Sequence, residues 1–94
     1  MSSAERDGLQ AEVDRHLAEL TDGLDGQHAV LALATLANRT AARLHALARA
    51  EATARKGQAH WPTWASLQNV ARTLVLQTST CRDLARRLAN PDQQ

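Results

Sequence analysis

The sequence predicts an all-α fold: a long antiparallel helical hairpin preceded by a shorter N-terminal helix, together a three-helix bundle. Three observations carry this. Alanine and leucine dominate the 44% hydrophobic content, and both are strong helix formers. Phe and Tyr are absent and Trp61 and Trp64 are the only aromatic rings, so residues that favour strands are scarce. Apolar residues recur at steps of three and four along three stretches separated by Asp/Gly and Gly/Pro punctuation.

The first helix is expected over about residues 4–21. Ser2 and Glu5 fit a capping box, in which each side chain satisfies a free amide of the first turn. Leu9, Val13, Leu17, Leu20 and Leu24 form one apolar stripe. Two Asp/Gly pairs between Thr21 and Gly26 then mark a turn.

The second helix is expected over about residues 27–56, capped by Asp25. Leu33, Leu36, Thr40, Leu44 and Leu47 share a face, and alanines cover much of the rest. Arg55 and Lys56 suit the negative end of the helix, and Gly57 stops it.

The third helix is expected over about residues 63–89. Trp64, Leu67, Ala71, Leu74, Thr78, Cys81, Ala85 and Leu88 alternate steps of three and four, a heptad seam against the second helix. A buried, structural Cys81 follows from that seam. Asn90 and Pro91 end the helix, leaving residues 90–94 as a short tail. Helices of similar length joined by a short link pack antiparallel. With 94 residues and no internal repeat, one domain is expected over residues 1–94.

Charge is divided unevenly. Residues 1–25 hold seven acidic and two basic side chains, and residues 26–94 hold nine basic and three acidic. Such a split points to partners and solubility rather than to fold. A single cysteine excludes an internal disulfide framework. The N-terminus lacks the basic and apolar regions of a secretory signal, and no apolar stretch approaches the roughly 20 residues of a membrane crossing. A cytoplasmic location and no membrane partner are the expectation.

Chemistry-bearing patterns are sparse. Glu12, His16 and Glu19 share one helix face, a spacing that can hold a divalent metal, but no second helix supplies the remaining ligands. His28, His45 and His60 form no ligand set with Cys81. There is no nucleophile elbow and no glycine-rich phosphate loop. No catalytic residue, cofactor or metal is assigned, and the chain is expected not to be an enzyme.

Two functional readings follow. In the first, the chain is a small helical-bundle protein acting through protein–protein interaction, by self-association or with another helical protein. Its candidate interface residues are Trp61, Trp64, Leu67, Leu74, Leu84 and Leu88, with Leu33, Leu36, Leu44 and Leu47 opposite. Trp61 is a candidate anchor because Trp is enriched at binding hot spots. A hairpin of this length with tryptophan at its bend is similar to the secreted helical hairpins that carry Trp-x-Gly there, although Trp61-Pro62-Thr63-Trp64 stands in that place here.

In the second reading, residues 67–88 resemble a DNA-binding helix-turn-helix. Ala71 is the small residue at the helix crossing, and Val70, Leu74, Leu76, Cys81 and Leu84 pin the pair. Thr80, Arg82, Asp83, Arg86 and Arg87 would then face nucleic acid. Val75 argues against this alternative, because the turn favours glycine at that place in a positive-φ conformation. The state of residues 75–79, rod or turn, separates the two.

Overall fold

The computed structural model describes residues 1–91; residues 92–94 of the expected tail lie outside them. The fold is all-α, with helices α1 (Ser3–Thr21), α2 (Gly26–Ala54) and α3 (Trp61–Ala89). Both predicted N-caps accept: Ser2 Oγ from the Glu5 amide at 3.1 Å and Asp25 Oδ1 from the His28 amide at 2.9 Å. Only the Ser2 half of the expected capping box forms, because the Glu5 carboxylate makes no return bond to the Ser2 amide. Gly23 and Gly57 take φ of 76° and 85°, the left-handed conformation that ends a helix tightly.

α3 starts at Trp61, two residues before the expected position. Pro62 falls in the first turn, where a missing amide hydrogen costs nothing, and so it extends the helix start instead of delaying it.

α2 and α3 pack along their whole length as the antiparallel hairpin, while α1 rests on α2 and makes no comparable contact with α3. The molecule is therefore flat, with extents of 52 × 34 × 14 Å. Its radius of gyration is 16.6 Å, against about 12 Å for a compact chain of this length. The 14 Å thickness amounts to a single layer of helices.

The hairpin seam departs from the expected one. Its buried residues are Ala34, Asn38, Ala41, Ala48 and Ala52 on α2, with Ala71 and Ala85 on α3. Leu31 and His45 continue the α2 row half-buried, and Trp64, Gln68, Val75, Thr78, Arg82 and Ala89 continue the α3 row. Both rows step by three and four. On α3 the anticipated seam shares Trp64, Ala71, Thr78 and Ala85 with the real one. The other half of that seam, however, is Gln68, Val75, Arg82 and Ala89, one position on from Leu67, Leu74, Cys81 and Leu88. Small side chains let the two backbones approach closely, and a leucine in every second seam position would hold them apart. Among the described residues no large side chain is fully buried.

Candidate functional site

The rotation of α3 pushes its leucines other than Leu76 to one flank. Leu67, Leu74, Cys81 and Leu88 are seven residues apart and form one row, and Val70 and Leu84 lie in the adjoining row. Leu67 is half-buried, whereas the other apolar side chains of the flank remain between 37% (Leu74) and 58% (Val70) exposed. Cys81 is an exposed free thiol, not the buried structural residue expected from the sequence.

This flank borders a groove. α2 forms the floor with Leu33, Leu36 and Leu44, α1 forms one wall with Val13 and Leu17, and Leu74 of α3 forms the other. The groove encloses about 380 Å³ and its surface is almost wholly apolar. Leu33, Leu36 and Leu47, expected to face α3, are instead exposed, because the alanine row of α2 takes that contact. The stripe on α1 is half-open as well: Leu17 is half-buried, and Leu9, Val13, Leu20 and Leu24 are exposed. All three helices thus contribute apolar side chains to one side of a flat molecule.

Trp61 and Trp64 are both half-buried at the closed end of the hairpin. The Arg55 guanidinium lies 5.6 Å from the centre of the Trp64 ring, a cation–π contact that ties the end of α2 to the start of α3.

α3 is unbroken from Trp61 to Ala89, so the turn that a helix-turn-helix requires at 75–79 is not formed. The anticipated nucleic-acid contacts are also dispersed. Arg82 is half-buried and its Nη1 donates to Asn38 Oδ1 at 2.8 Å. Arg86 pairs with Asp83 at 3.5 Å. Thr80 turns its hydroxyl back onto the Leu76 carbonyl at 3.3 Å. Arg87 is exposed near the end of the helix.

Sequence reasoning missed the polar centre of the seam. The buried amide nitrogen of Asn38 faces Ser79 Oγ at 3.0 Å, Thr78 Oγ1 at 3.1 Å and the Val75 carbonyl at 3.3 Å. Arg82 Nε is buried there with no hydrogen-bond partner among the described residues. The available signal was the heptad spacing of Ala34, Ala41 and Ala48, which places Asn38 inside the seam.

His16 stands 3.8 Å from both Glu12 and Glu19 on an exposed face of α1. Among the described residues no three His, Cys, Asp or Glu side chains are grouped so as to hold a metal ion. No helix among them is long and apolar enough to cross a membrane. No protein family, curated protein or solved structure matches the chain.

Proposed function

We propose that this chain is a non-enzymatic helical protein that works by protein–protein interaction, associating with a second copy of itself through its leucine-rich face. The supporting observation is the groove walled by Val13, Leu17 and Leu74 over a floor of Leu33, Leu36 and Leu44, which continues into the exposed flank of Leu84 and Leu88. A stable fold needs at least two packed layers around an apolar centre, and this molecule is 14 Å thick. Contiguous exposed leucines from three elements are the mark of an interaction surface, in contrast to the scattered apolar residues of an ordinary exterior.

Light scattering on the wild type and on Leu74→Glu tests the reading. The wild type should have at least twice the chain mass at micromolar concentration, and Leu74→Glu should be monomeric with its helix content retained by circular dichroism. A monomeric wild type, or a Leu74→Glu variant that associates as tightly, would refute it.

A further inference from the structure

We propose that the groove between α1 and α3 receives α3 of the second copy, and that the contact is reciprocal, closing two one-layer molecules into a two-fold, six-helix bundle. This rests on the self-association proposed above and names its geometry.

The first argument is area. The chain exposes 7083 Å². A compact monomer of 10.2 kDa exposes about 5,300 Å² by the scaling of surface with mass, which leaves a surplus of roughly 1,800 Å². Two copies hiding that surplus would bury about 3,600 Å², within the roughly 2,000–5,000 Å² of obligate homodimers.

The second argument is charge along the α1 wall of the groove. α1, which walls the groove, holds five acidic and two basic residues, a net charge of −3. A second α1 laid along that wall would set like charge against like. α2 already forms the floor. α3 holds Arg72, Arg82, Arg86 and Arg87 against Asp83, a net charge of +3. It also offers the flank of Leu67, Leu74, Leu84 and Leu88 to fill an apolar groove. Because α3 of each copy borders its own groove, a two-fold axis lets each α3 enter the other's groove at once, the self-complementary contact of a symmetric dimer.

A charge-swap mixing experiment tests this. One variant reverses α1 (Glu12→Lys, Asp14→Lys, Glu19→Lys) and the other reverses α3 (Arg72→Glu, Arg86→Glu, Arg87→Glu). Alone, each places like charges across both contacts, and its self-association should weaken about tenfold or more. Mixed in equal amounts, they match opposite charges at both contacts and should form a heterodimer, read by native mass spectrometry. Recovery on mixing supports the proposal even if a variant is poorly folded alone, since no contact within one chain is repaired by mixing. Failure to form the heterodimer overturns it. If both variants self-associate like the wild type while Leu74→Glu does not, self-association stands and the reciprocal α3 geometry falls. A monomeric wild type removes both.

Discussion

Arg82 reaches across the hairpin and donates from Nη1 to the amide oxygen of Asn38 at 2.8 Å, the one charged group that α3 commits to its seam with α2. The same amide's nitrogen is met by Thr78 and Ser79 of α3. A seam of alanines alone would tolerate sliding by a heptad, since Ala34, Ala41 and Ala48 are interchangeable in shape. Asn38 meets this set of partners at one register only. A buried polar group of this kind sets register at some expense in stability.

Asn38→Ala should therefore lower stability by about 1–3 kcal/mol, because Arg82 is left without its acceptor inside the seam. Replacing both partners with apolar residues, Asn38→Leu with Arg82→Leu, should recover most of that loss and broaden the alternatives in helix register. Urea denaturation of Asn38→Leu, Arg82→Leu and the double gives the coupling energy. Additive losses with no recovery would mean that the two residues act separately.

The packed face of α3 can be checked by a pair of opposite substitutions. Ala71 has 0% exposure, and Ala71→Leu should destabilise by about 1–3 kcal/mol through overpacking. Leu76 is 66% exposed and lies about 200° round the helix from Leu74, so Leu76→Ala should stay within about 0.5 kcal/mol of the wild type. The reverse ranking in thermal unfolding would turn Leu76, and not Ala71, toward α2.

Gln77 stands at the centre of the stretch where a rod and a turn differ. Gln77→Pro should cost about 3 kcal/mol or more, because it removes a hydrogen bond within α3 and clashes with the preceding turn. A Gln77→Pro protein that matches the wild type in stability and in helix content by circular dichroism would mean that residue 77 lies in a turn.

The cap of α2 should show in the acid limb of stability. The Asp25 carboxyl is held below its ordinary value of 3.8, first by the hydrogen bond from the His28 amide and then by the His28 side chain. A lowered folded-state pKa means that the ionised carboxylate stabilises the folded protein above the unfolded pKa. That contribution disappears as the pH falls through the folded value. The melting temperature of Asp25→Ala should thus lie below that of the wild type at neutral pH, and the gap should close below pH 3.8. A gap independent of pH would show that the charge of Asp25 plays no part.

Much of the architecture was legible in the residues themselves. Ser2, Asp25, Gly23 and Gly57 act through the backbone within a turn of their own position, so their roles survive whatever packs around them. The absence of Phe and Tyr and the abundance of Ala and Leu settled the helical class in the same local way. Pro62 was harder to place, because it tolerates both a link and a first helical turn.

The seam could not be read from hydrophobicity alone. Leu67, Leu74 and Leu88 satisfy a heptad as well as Val75, Arg82 and Ala89 do, and a rule that buries the most apolar row selects the leucines. What the sequence by itself determined was helices, caps and stops, because those depend on forces within one turn of the chain. What only the tertiary structure decided was which row of each helix faces the other. Two backbones drawn close over alanine gain contact along their whole length, and that gain sends Asn38 and Arg82 inward and turns the leucines out.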